Sequence, residues 1–161
     1  ADHPSKVRKL VLIDASGYIK RDRPWIFKMT KLPIVSTVMR YITPKFIIKK
    51  NMEQVYYDGS KLSAKQVDTY YDMQLCQSNR QTFIDINRTP QIDHTKQLKS
   101  IATPTLIIWG KEDAWISVDF AHRFHKDIPN SKLVILENSG HIPMEENPQE
   151  SLSAALDFFK E

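Results

Sequence analysis

Three short apolar runs constrain this chain more than any other feature. Residues 9–16 read KLVLIDAS, residues 104–109 read PTLIIW and residues 132–136 read KLVIL. Each is a continuous run rather than an alternation of apolar and polar positions. A strand with one face in water alternates, whereas a strand covered on both faces does not, so these runs predict the buried strands of a parallel sheet. Helical patterns lie between and after them. Val118, Ala121, Phe124 and Ile128 form one stripe behind Ser117, a possible cap, and Pro129-Asn130 ends it. Asn147, Pro148 and Glu150 read as N-cap, first helical residue and capping-box acid of a last helix with a stripe of Leu152, Ala155, Leu156 and Phe159. Strand and helix alternating at these spacings give right-handed βαβ units, hence an α/β fold with three parallel strands and flanking helices.

Residues 19–101 differ. No strand-like run occurs there, and helix starts recur at Leu32-Pro33, Thr43-Pro44, Ser63 with Gln66, and Ser78. A helical insert is therefore expected between two strands of one sheet, with residues 1–18 and 102–161 forming the core. Charge follows the same division. The insert carries 15 basic and 7 acidic residues, and residues 102–161 carry 5 and 10. No basic run is long and no nucleic-acid motif appears, so solvated helix faces are the expected reading and nucleic acid is not an expected partner. No apolar run approaches the roughly 20 residues of a membrane span. The single cysteine excludes an internal disulfide framework and a Cys-based zinc site, which leaves a reducing cytoplasm as the default compartment.

Gly17, Gly110 and Gly140 each follow closely on a predicted strand, and sites in open parallel sheets lie at the carboxyl ends of strands. Glycine is expected there for sharp turns near a ligand. The second corner reads WGKEDAWI and the third ENSGHIP. Asp113 and His141 stand 28 residues apart with one helix and one strand between them. Neighbouring parallel strands are about 4.8 Å apart, so two short loops at the same end can bring this carboxylate to this imidazole. Such a pair is the orienter and base of a nucleophilic triad.

PTLIIWGKEDAWI, NSGHIPMEENPQE and the closing amphipathic helix together resemble the C-terminal half of an α/β-hydrolase, and HPSKVRKLVLIDASGY resembles that family's strand after the nucleophile helix. The helical insert matches the family's lid in position and helical character. The resemblance implies Asp113 as triad acid and His141 as base. Asp14, at the end of the first strand, is the alternative acid, as in haloalkane dehalogenases. Trp115 and Ile142 would border an apolar substrate pocket. Lid aromatics (Trp25, Phe27, Tyr41, Phe46, Tyr56, Tyr57, Tyr70, Tyr71 and Phe83) are expected mostly to pack helix on helix, with a few reaching that pocket. The departure is the nucleophile: no G-x-S-x-G, nor a Cys or Asp variant, occurs in the 161 residues. The expectation is thus the distal part of a hydrolase acting on an ester or related bond of an apolar small molecule, with no cofactor and no metal, and inactive alone. Serine is the expected nucleophile by family frequency. The alternative is a non-catalytic binding or interaction half-domain. The outer edge of the strand at residues 10–15, apolar on both faces, is expected to pair with the missing half or with a second copy. His122, His125 and Asp119 at helical spacing are weaker metal candidates and Cys76 a weaker nucleophile. His3 and His94 carry no signal.

Overall fold

A computed structural model describes residues 4–19 and 25–161; His3 lies outside them. The three apolar runs form β1 (Leu10–Ile13), β2 (Thr105–Gly110) and β3 (Ser131–Leu136), all parallel, in the order β1-β2-β3. Leu10 pairs with Thr105, and Thr105 with Ser131. Why the runs are continuously apolar is visible in β2. Ile107 and Trp109 face a cluster with Tyr18, Ala121, Phe124 and Ile128, while Leu106 and Ile108 face another with Leu136 and Phe158. Successive side chains point to opposite faces, and both faces are covered. All six residues of β2 are buried.

Between β1 and β2 run α1 (Trp25–Met29), α2 (Pro33–Tyr41), α3 (Lys45–Val55), α4 (Ala64–Leu75) and α5 (Gln77–Arg88). After β2 come α6 (Asp119–Asp127), then β3, α7 (Pro143–Glu146) and α8 (Pro148–Lys160). The Ser63–Gln66 capping box forms as expected, with both reciprocal bonds made. Other helix starts differ from expectation. Cys76, not Ser78, stands at the N-cap of α5, and Val118, not Ser117, at that of α6, and neither side chain makes a capping bond. Asn147 does begin α8, but its side chain caps nothing there. Its Nδ2 donates instead to Ser139 Oγ at 2.6 Å, holding the loop after β3.

The apolar stripe of α8 also turns out differently. Leu152 and Phe159 are 58% and 56% exposed, and the buried residues of the helix are Ser151 and Phe158. The small Ser151 and Ala154 face the sheet, and Phe158 packs with Leu106, Ile108 and Leu136. Periodicity had marked an apolar face without revealing that a second, smaller one packs.

The chain divides into two compact units. One comprises Ala1–Tyr18, Val55–Asp58 and Asp93–Glu161, and contains the sheet. The other comprises Ile19–Gln54 and Gly59–Ile92, and is helical. The four residues Val55–Asp58 thus belong with the sheet although helices flank them in sequence, and residues 93–101 join it as well. Within the helical unit Phe27 stacks on Phe83 at 5.6 Å, and Arg88 joins Thr30 O to Ser36 Oγ. Tyr41 and Phe46 are exposed, and Cys76 is exposed at the junction of α4 and α5. Among the described residues no helix is long and apolar enough to cross a membrane.

Candidate active site

Three side chains meet at the carboxyl ends of the strands. Asp14 follows β1 directly, Asp113 lies three residues beyond β2, and His141 lies five beyond β3. One atom of each lies within 4.8 Å of the others. His141 Nδ1 donates to Asp113 Oδ2 at 2.8 Å. Asp113 Oδ1 accepts the backbone N–H groups of Trp115 at 2.7 Å and Ile116 at 2.9 Å. The Asp113 side chain is fully buried, whereas that of His141 keeps 21% of its surface. A carboxylate with three donors and no water contact is fixed in orientation, so it fixes the imidazole as well. Nδ1 is then the protonated nitrogen. Nε2 accepts no hydrogen bond from any described residue.

The corners are held from behind. Trp109 Nε1 donates to Ile116 O at 3.1 Å, closing the loop that carries Asp113. Glu112 binds the next corner twice, donating its N–H to Ser139 O at 3.0 Å and accepting the Ser139 N–H at 3.1 Å. The exposed Lys111–Glu137 pair at 2.7 Å spans the same two corners, and it raises the Lys111 ammonium above its ordinary value through the hydrogen bond to Glu137.

The glycines serve close approach, not the turns expected of them. No described glycine has a positive φ. A Cβ on Gly110 would collide with the carbonyls of Ser139 and Gly140, and one on Gly140 with Val55 O and Tyr57 N. The left-handed positions belong to Asp14, at φ 41°, and Asn138, at φ 52°. These residue types tolerate that region best after glycine.

Two further elements, unmarked in the sequence reading, shape the site. His141 N donates to Val55 O at 2.7 Å. Glu146, 5% exposed, accepts the N–H groups of Gly140 at 2.7 Å, Asp58 at 2.7 Å and Tyr57 at 3.1 Å. Tyr56 adds a hydroxyl bond to Glu145 at 2.9 Å. The loop bearing the histidine is thereby stitched to residues 55–58. In sequence Glu145-Glu146 looks like an ordinary acidic pair in a first helical turn, and nothing local signals burial.

Trp115 sits beside the imidazole, ring centroids 5.3 Å apart. Ile142 is half-buried at the start of α7. Asp14 makes no direct bond to His141; its Oδ1 accepts the Gly110 N–H at 3.0 Å. The helix candidates disperse: His125 Nδ1 meets Ser131 Oγ at 3.0 Å, and Asp119 meets Ser117 Oγ at 3.1 Å. Among the described residues only Asp14, Asp113 and His141 bring three such ligand types together, and the His141–Asp113 bond already occupies two of the facing atoms.

The parallel sheet carries a histidine and an acid at the ends of adjacent strands. The chain belongs to the alpha/beta hydrolase fold family, whose family model matches residues 1–148. It is 32% identical over 161 residues to the uncharacterized hydrolase YugF of Bacillus subtilis strain 168, covering 98% of this chain and 58% of that protein. It is 26% identical over 166 residues to monoacylglycerol lipase ABHD6 of Mus musculus, covering 98% and 49%. A membrane phospholipase A described as a bacterial virulence factor superposes with a TM-score of 0.75 at 25% identity, covering 98% of this chain and 50% of that one. The chain spans about half the length of the curated relatives it matches.

Proposed function

We propose that this chain carries the acid and base of a hydrolase that cleaves an ester or related bond of an apolar small molecule. The observation that carries the reading is the 2.8 Å bond from His141 Nδ1 to a fully buried Asp113. His141 Nε2 takes the proton of the nucleophile as it attacks the carbonyl, then returns it to the leaving group. Asp113 keeps the tautomer and stabilises the imidazolium. Trp115 and Ile142 border the apolar side of the bond. The ester class is supported by the relatives named as lipases, and the helical unit is read as the lid that selects the substrate.

The nucleophile and the oxyanion donors come from residues outside this sequence. The 161 residues contain no nucleophile elbow, and an acid–base pair without either part has nothing to attack with. The outer side of β1 takes a strand from that other part or, in its absence, from a second copy.

The test compares two proteins with short nitrophenyl esters. The chain itself, verified by mass, releases no nitrophenol above background. A longer product of the same gene that contains a nucleophile elbow turns the ester over. In it His141→Ala lowers kcat by about 10³-fold or more. Activity that survives His141→Ala in the longer protein overturns the assignment. Turnover by the chain alone that a serine-directed phosphonate abolishes overturns the division of labour.

A further inference from the structure

Asp14 carries a carboxyl whose surroundings do not suit an anion. It is 4% exposed and held at φ 41°. Its Oδ1 accepts the Gly110 N–H, while Oδ2 is buried and meets no donor among the described residues. The titratable groups that face it are Asp113, from the corner after β2, and His141, from the corner after β3. Two carboxylate anions in one buried site with a single imidazole leave one negative charge uncompensated.

The two carboxyls are not equivalent. Asp113 accepts three bonds, from Trp115 N, Ile116 N and His141 Nδ1, and Asp14 accepts one. The anion belongs where the donors converge. A neutral acid, by contrast, needs an acceptor for its O–H, and Asp113 is the acceptor at hand. We propose that Asp14 is a neutral carboxylic acid whose Oδ2–H donates to the Asp113 carboxylate, making it a positioning residue behind the acid–base pair.

The Asp14 carboxyl is pushed up to about 8, by burial first of all; the Gly110 N–H opposes the rise, and the charge of Asp113 and the bond to it add to it. The shared proton does two things. It adds a fourth bond to Asp113, restraining its carboxylate further. It also leaves one negative charge, not two, facing the imidazole. As a statement about catalysis this rests on the acid–base reading of Asp113 and His141; as a statement about where a proton sits it does not.

Carbon-13 NMR of aspartate carboxyls in the chain, from about pH 4 to 9, tests it. One resonance, missing from the Asp14→Asn variant, is expected to titrate near 8. Asp14→Asn keeps an acceptor for Gly110 N–H and an N–H donor for Asp113, and asparagine tolerates the left-handed backbone. It is expected to leave the Gly110 amide and the His141 Nδ1 proton resonances in place. Asp14→Leu, of similar size without those bonds, is expected to shift both. Titration of the Asp14 resonance near 4, or a His141 shift in Asp14→Asn as large as in Asp14→Leu, overturns the proposal. If the leucine variant does not fold, the wild-type titration decides by itself. The nitrophenyl ester comparison can fail without touching this titration, so the two readings fail separately.

Discussion

Replacing Glu146 with alanine removes the acceptor of three backbone N–H groups at once. Oε2 takes Gly140 N and Tyr57 N, and Oε1 takes Asp58 N. A buried donor stripped of its partner costs about 1–3 kcal/mol, and bonds to a charged acceptor lie toward the upper end. Gly140 is buried and takes nearly the full cost, Asp58 is half-buried, and Tyr57 is exposed enough for water to replace the carboxylate. The total comes to about 3–5 kcal/mol, a large share of the stability of a chain this size. Glu146→Gln is the graded control. With its carbonyl oxygen where Oε2 stands, glutamine keeps Gly140 and Tyr57 and turns an N–H₂ toward Asp58 N, so the loss falls to about 1–3 kcal/mol. Urea unfolding followed by circular dichroism measures both. Amide exchange locates the effect: Gly140, His141 and Asp58 are expected to exchange faster than the global loss explains, while Ile107 in β2 follows the global value. A loss below about 1 kcal/mol for alanine, or exchange that accelerates equally at Ile107, would refute the claim that Glu146 stitches the histidine loop to residues 55–58.

Four further outcomes are expected. The folded-state pKa of Asp14 is raised from 3.8 to about 8, so its contribution to stability is present at acid pH and is lost as pH rises from about 4 toward 8, by about 1.4 kcal/mol per unit; pH-dependent melting should show wild type falling behind Asp14→Asn across that window, and parallel curves would contradict it. Gly110→Ala should destabilise by more than about 2 kcal/mol, because the carbonyls of Ser139 and Gly140 occupy the Cβ position and backbone cannot step aside as a side chain can; a chemical-denaturation midpoint unchanged from wild type would exclude that crowding. At micromolar concentration the chain should self-associate in light scattering. Leu10 N donates to Pro104 O, just before β2, and Asp14 N to Ile108 O within it, and the alternation of a parallel ladder aims the N–H groups of Val11 and Ile13 away from β2; a clean monomer mass with fast exchange at those two amides would count against the edge pairing. Trp115→Ala in the longer protein should raise KM for apolar esters several-fold more than it lowers kcat, since its ring lies beside the imidazole and takes no part in proton transfer; a purely kcat effect would remove it from the substrate side.

The parallel sheet, the Asp113–His141 pair and the position of both at strand ends were legible in the sequence because each leaves a local mark. A strand buried on both faces must be apolar at every position, as Leu106, Ile107, Ile108 and Trp109 are. Short loops after adjacent parallel strands then have little freedom in where they place a side chain. The helix-start residues were legible in part: the Ser63–Gln66 box closes entirely within four residues and forms as read, whereas Asn147 has competing partners eight to ten residues away and takes those instead. What only tertiary structure decided depends on residues far apart in the chain. Asp14 meets Gly110 across 96 positions, and Glu146 meets Tyr57 and Asp58 across 89 and 88. Asp14 is marked in sequence only by its place at a strand end, and Glu146 looks no different from a solvated acid. Burial turns the first toward its neutral form and makes the second the anchor of three amides. The same holds for the glycines, whose missing Cβ matters because of a carbonyl contributed by another segment, and for α8, where packing chose Ser151 and Phe158 over the longer apolar stripe. Local chemistry sets which residues are able to form an element or a pair; which of their faces is buried, and against what, is a property of the assembled chain.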